Sequence, residues 1–220
     1  GLITAATTPI LFSSLSRLQT DEQAFQTLFF KFQKLVGLLV IPLGVGIFCY
    51  SDLITKILLG NQWLEASSFI GLWGLTSAIT IVLSHYRSEV YRAKGRPRLS
   101  VLAQVLHIVV LLPVVLIAVK HGFEVLSVTR ALVRLELILV NLVIMYIVVK
   151  ISPWKMFKNI SYSIFASMIM AIVAFLLKDV FYTFWWQLVS ILICSLVYFI
   201  IILGPSSNRQ LLHSLLAKKI

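Results

Sequence analysis

Acidic side chains are scarce in this sequence: Asp and Glu number 8 in 220 residues, against 19 Lys and Arg. Charge of either sign makes up 12% of the chain, about half the ~25% of an ordinary soluble domain. Hydrophobic residues make up 60% and the mean hydropathy is +0.99, which excludes a conventional soluble globule, because its surface needs far more polar groups. Cysteine is rarer still. Cys49 and Cys194 each lie in an apolar stretch with no second ligand nearby, so the sequence points to neither a disulfide framework nor a metal site. A Gly-rich phosphate loop, carboxylates paired at useful spacing and a His/Cys cluster are all missing. The expectation is a protein that is not an enzyme and carries no cofactor or metal.

The N-terminus lacks an initiator Met, a basic leader region and a cleavage site. From Gly1 to Leu15 the chain is uncharged, but 15 residues of helix rise only about 22 Å. That is short of the ~30 Å hydrocarbon core, so residues 1–20 read as the tail of a truncated span followed by a link. The net charge of +11 comes from short basic clusters set between apolar runs, not from one basic surface, which argues against a nucleic-acid partner.

Six apolar segments are long enough to cross a bilayer: Leu28 to Tyr50, Ser67 to Tyr86, Leu99 to Val119, Val125 to Val149, Ile160 to Leu177 and Trp185 to Leu203. All are expected to be helices, because an unclosed strand cannot satisfy its backbone in lipid. The fold class is therefore an all-α polytopic bundle, with the six spans in residues 21–204. A basic amphipathic tail over 205–220, with leucines at 211, 212, 215 and 216, is expected to lie on the inner leaflet. Trp63, Trp154, Trp185 and Trp186 sit near span ends as interface anchors, and Lys31 and Lys34 are expected to snorkel.

Alternate connections carry very different charge. One set holds Arg17, Lys31, Lys34, Arg87, Arg92, Lys94, Arg96, Arg98, Lys150, Lys155, Lys158, Arg209, Lys218 and Lys219; the other holds Lys56, Lys120 and Lys178. The positive-inside rule places the first set, a basic hairpin from Arg87 to Arg98 and the C-terminus in the cytoplasm. Between Ser51 and Trp63 a short amphipathic helix ending at Gly60 is expected at the outer surface.

Polar residues within the spans are few and therefore informative. Ser127, Arg130, Arg134 and Asn141 share one face of the fourth span within about 60°, and Glu136 points the other way. Two guanidinium groups on one face do not belong in lipid. They line a cavity that holds an anion, or Arg130 snorkels outward while Arg134 pairs with a carboxylate, or the two meet lipid headgroups. By helical rise Glu136 and His107 lie at the same depth, so they are candidates for an intramembrane polar pair; the other histidines, His85, His121 and His213, read as interfacial. Pro42, Gly44 and Gly46 mark mid-membrane either a hinge or a close helix contact.

Thr8-Pro9 with Ser13 to Arg17, Ile41-Pro42-Leu43-Gly44-Val45-Gly46, Leu58-Leu59-Gly60-Asn61-Gln62-Trp63 and Tyr91-Arg92-Ala93-Lys94-Gly95-Arg96-Pro97 occur in an order that resembles Wzx-like polysaccharide and lipopolysaccharide flippases. These are exporters of the MATE-related multidrug, oligosaccharidyl-lipid and polysaccharide superfamily. The resemblance implies the second lobe of a two-lobed transporter of the bacterial inner membrane, completed by an N-terminal lobe. It implies movement of an undecaprenyl-pyrophosphate-linked oligosaccharide for O-antigen, capsule or exopolysaccharide export by alternating access. Membrane lipids and the lipid-linked glycan are then the partners, and Arg130, Arg134, Ser127 and Asn141 are candidates to hold the pyrophosphate. Two alternatives stay open: a cation-coupled multidrug antiporter, which would use Glu136, and half of an integral-membrane glycosyltransferase or polymerase.

Overall fold

The structure is a computed structural model that describes residues 11–178, 180, 183–205 and 208, with His85 described for its backbone alone. The tail expected over 205–220 falls almost wholly outside these residues, and so does the first half of the N-terminal stretch expected over 1–20. Among those described there is no strand, and six helical runs are long and apolar enough to cross a membrane. The chain is an all-α, multi-pass membrane bundle.

Residues 11–17 form helix α1. The first span, α2 (Glu22–Cys49), starts six residues before the expected Leu28 because Asp21 caps it: its Oδ1 accepts the Ala24 N–H at 2.9 Å. That bond satisfies one of the first-turn donors a helix leaves open. At the far end α3 (Ser51–Leu58) lies between spans and stops at Gly60, whose φ of +92° is a conformation that suits glycine. A 3-10 turn, Asn61–Ala66, leads into α4 (Ser67–Thr80).

The second span departs from expectation. A π turn, Ile81–His85, follows α4, and the basic segment read as a hairpin continues as helix α5 (Arg87–Ala93). Tertiary burial overrides its polar composition, because Val90 and Tyr91 are fully enclosed in the core of that end. The loop proper shrinks to residues 94–97. Then come α6 (Arg98–Ala118), α7 (Phe123–Val149), α8 (Pro153–Lys178) and α9 (Phe184–Ile202).

In space the spans form a row. The α2 helix packs on α4 and on α8; beyond α4 come α7 and then α6, and beyond α8 comes α9. One core joins α1, α2, α5, α7 and the start of α8 at the basic end, through Phe25, Phe29, Val90, Tyr91 and Met145. A second joins α2, α3, α8 and α9, through Tyr50, Leu53, Met170 and Tyr198. The outer members of the row are clad in exposed aliphatics such as Val101, Leu112 and Leu116 on α6, the surface lipid requires. Trp63, Trp154 and Trp185 stay exposed at span ends, and Trp186 donates from Nε1 to the Leu177 carbonyl at 2.8 Å, closing the α8–α9 turn.

At the end opposite the basic cluster, Lys178 Nζ reaches Asp52 Oδ2 at 3.1 Å. A hydrogen bond from Ser67 is the main reason that the Asp52 carboxyl sits below its usual range; burial opposes it and Lys178 adds to it. A lowered carboxyl pKa stabilises the fold above the unfolded value of about 3.9, and the contribution vanishes as pH falls through the lower folded value. Both groups are partly exposed, so Asp52→Asn is expected to cost no more than about 1 kcal/mol at pH 6. The unfolding midpoint of wild type and Asp52→Asn should therefore converge between pH 6 and pH 3.

Candidate functional site

Arg130 and Arg134 project from α7 one turn apart, about 10 and about 16 Å along the helix from Phe123. Facing them at matching depth, Trp73 and Ser77 stand one turn apart on α4. The Arg134 Nη1 donates to Ser77 Oγ at 2.7 Å, and its guanidinium carbon lies 4.1 Å from the Trp73 ring centroid. The Arg130 guanidinium carbon is 5.8 Å from the same ring. An indole face attracts cations, so Trp73 holds two like charges close together. Neither arginine has a carboxylate within ion-pairing distance among the described residues. Among the described residues, Arg134 therefore lacks the carboxylate partner of the alternative reading. A guanidinium has five N–H donors and Ser77 takes one of those of Arg134.

The other two members of the expected face are tied up locally. Ser127 donates back to the Glu124 carbonyl at 2.8 Å. Asn141 is fully buried, gives its amide to the Leu137 carbonyl and lies 3.5 Å from the Tyr91 hydroxyl. The structure therefore groups Arg130 and Arg134 with Trp73 and Ser77, and leaves Ser127 and Asn141 inside the bundle's own hydrogen bonding. Trp73 and Ser77 escaped the sequence reading. Their only signal was an aromatic and a hydroxyl at i and i+4 on one apolar helix, a pattern shared by many core faces.

On the opposite side of α7, His107 Nδ1 lies 2.9 Å from Glu136 Oε2. His107 is buried and joins α6 to the bundle at that depth. The remaining histidine of the described side chains, His121, sits at the α6–α7 turn and contacts the Ile117 carbonyl at 3.0 Å.

The Pro42 region divides its three marked residues between two roles. A Cβ at Gly44 would overlap that of Ala78 on α4, so Gly44 serves close packing. Gly46 has open space beside it and borders a cavity of about 390 Å³ between α2, α3, α8 and α9. Pro42 has no N–H, which leaves the Leu38 carbonyl, four residues earlier, without its helical donor. The Tyr198 hydroxyl of α9 takes that carbonyl at 2.7 Å, and Ser163 of α8 donates to the Gly37 carbonyl at 2.9 Å. The break in α2 is therefore clamped from two neighbouring helices. Tyr198→Phe is expected to lower stability by about 0.6–1.7 kcal/mol, the range for interhelical hydrogen bonds in membranes, read as a shift in thermal unfolding in detergent.

Residues 1–68 match the model of a family described as polysaccharide biosynthesis protein, which supports the Wzx-like resemblance and a role in polysaccharide biosynthesis. The matched stretch contains Thr8-Pro9 with Ser13 to Arg17, the Pro42 segment and Leu58 to Trp63, three of the four motifs that carry the resemblance. No curated protein and no solved structure matches the chain.

Proposed function

We propose that the chain is the C-terminal lobe of a carrier that moves a polyprenyl-diphosphate-linked oligosaccharide across the bacterial inner membrane, from the inner to the outer leaflet. The observation that carries this reading is the pair Arg130 and Arg134 at membrane depth, stacked on Trp73 and without an acidic partner among the described residues. Buried cations without acids favour an anionic cargo, and a diphosphate crossing the bilayer needs that countercharge. The sugar would travel in water between this lobe and an N-terminal one, and the prenyl tail in lipid. No covalent step is required. The multidrug antiporter is less well supported, because Glu136, the acid it would use for a cation, is engaged by His107.

Deleting the gene in a strain without a redundant carrier should trap lipid-linked repeat units on the inner leaflet; normal surface polysaccharide there would overturn the reading. The basic ends of the spans and the C-terminus are assigned to the cytoplasm. A cysteine placed at Lys94 should therefore react with an impermeant maleimide only after the membrane is opened, and labelling in intact spheroplasts would reverse the orientation.

A further inference from the structure

Where α2 crosses the π turn and α5 at the basic end, the bundle encloses a small cavity of about 10 Å³. That is room for a single water-sized body. Its walls include Phe29, Phe32, Val82, Leu83, Tyr86 and Met145, and Gln33 and Arg87 line it as well. Gln33 Nε2 and Arg87 Nε are buried and have no hydrogen-bond partner among the described residues. Gln33 is 2% exposed. Its carbonyl oxygen is already taken by Asn159 Nδ2 at 3.0 Å, which orients the amide nitrogen away from α8. The Arg87 Nη1 is held by the Ser84 hydroxyl at 2.6 Å and the Ser84 carbonyl at 3.2 Å. The guanidinium is thus fixed in place with its Nε proton unused.

We propose that this cavity binds a small monoatomic anion, chloride under cellular conditions. Buried donors without acceptors are rare in native proteins, and a body that accepts from both resolves two of them at once. Charge decides between water and an anion. Arg87 has no carboxylate within ion-pairing distance among the described residues, and the nearby acid of α5, Glu89, is taken by Arg92 at 3.3 Å. The Arg87 side chain is partly buried and its Nε fully so, and a halide beside it supplies countercharge where a water does not. Size decides among anions, since phosphate, sulfate and carboxylates exceed the space. The site is separate from the Arg130 and Arg134 pair and does not depend on the proposed cargo. It ties α2 to α5, so occupancy stiffens the basic end of the two central spans.

The test is thermal unfolding of the purified full chain in detergent, at constant ionic strength, with sodium gluconate replaced stepwise by sodium chloride, sodium bromide or sodium sulfate. Chloride and bromide should raise the midpoint along a saturating curve, corresponding to about an elevenfold shift in the folding equilibrium at tenfold excess over the dissociation constant. Sulfate should match gluconate. The chloride effect should disappear in Arg87→Gln and persist in Arg92→Gln, which removes a charge from the same end outside the cavity. Should Arg87→Gln fail to fold, chloride-35 line broadening by the wild-type chain decides the question: broadening displaced by bromide and not by sulfate supports the site, and its absence overturns it. Equal midpoints in chloride and gluconate would mean that the cavity holds water and would overturn the proposal. Equal effects of sulfate and chloride would reduce it to ionic screening and would overturn it as well.

Discussion

Replacing Arg134 with alanine is expected to lower transport of the lipid-linked glycan ten- to a hundredfold per folded molecule. A hydrogen bond to a charged group is worth about 1.5–3 kcal/mol, and the substitution removes both the charge and the donor fork. Arg134→Lys should retain part of the rate, because it keeps the charge and loses the planar geometry that grips two oxygens at once. Folded abundance should change little in either variant, since Arg134 leaves behind a serine hydroxyl and an indole face and orphans no carboxylate among the described residues. Trp73→Leu should weaken the site less, by about 0.5–2 kcal/mol, through loss of the ring that holds both guanidinium groups. Transport by everted vesicles, divided by the amount of folded protein, measures all of these. A normal rate per molecule in Arg130→Ala and Arg134→Ala alike would remove both from the site.

The second large effect is expected on folding. The crossing of α4 with α2 and the start of α3 is built on small residues: a Cβ at Gly74 would overlap the Ile47 side chain of α2, and one at Gly71 would lie 3.1 Å from the Ser51 Cβ of α3. At Gly44 the added atom would meet both Ala78 and, at 3.1 Å, the Gly74 carbonyl, which is backbone and cannot turn aside. Gly44→Ala is therefore expected to cost about 1–3 kcal/mol, the usual range for overpacking. Gly74→Leu, with a whole side chain to place in the same crossing, should yield almost no monodisperse protein on size-exclusion chromatography. Gly46→Ala is the control: nothing lies within 4 Å of the added methyl, and its unfolding midpoint should match wild type. Loss of folded Gly46→Ala alongside the others would point to helix flexibility, not crossing distance, as the property these glycines supply.

The two arginines could be placed on one face from sequence because 100° per residue is a property of a single helix, and α7 is one unbroken helix. The depth match of His107 and Glu136 was accessible for the same reason: two helices joined by a short turn keep their register by rise alone. Trp73, Ser77 and Tyr198 were not accessible. Each acquires its meaning from a partner on another helix, 57 residues away for Ser77 and 160 for Tyr198. Pro42 announces that a carbonyl is released, but nothing local says which side chain takes it. Composition misled at Arg87 to Ala93, where three charged side chains in seven residues suggested part of a basic hairpin; enclosed Val90 and Tyr91 made it a helix.

The central place of α2 in the row has a consequence for how the protein is made. Its face toward α8 and α9 carries polar atoms that are met by residues synthesised much later: Ser163 for Gly37 and Asn159 for Gln33, each 126 residues on, and Tyr198 for Leu38, 160 residues on. At the usual 5–20 residues per second, α2 waits about 6–25 s for the first of these partners. During that interval the carbonyl released by Pro42 stands in the membrane without its final donor. The insertion machinery, or a lipid headgroup drawn inward, has to shelter α2 until the last hairpin arrives. Slowed elongation between α7 and α9 should lengthen its exposure to membrane proteases more than that of any other span.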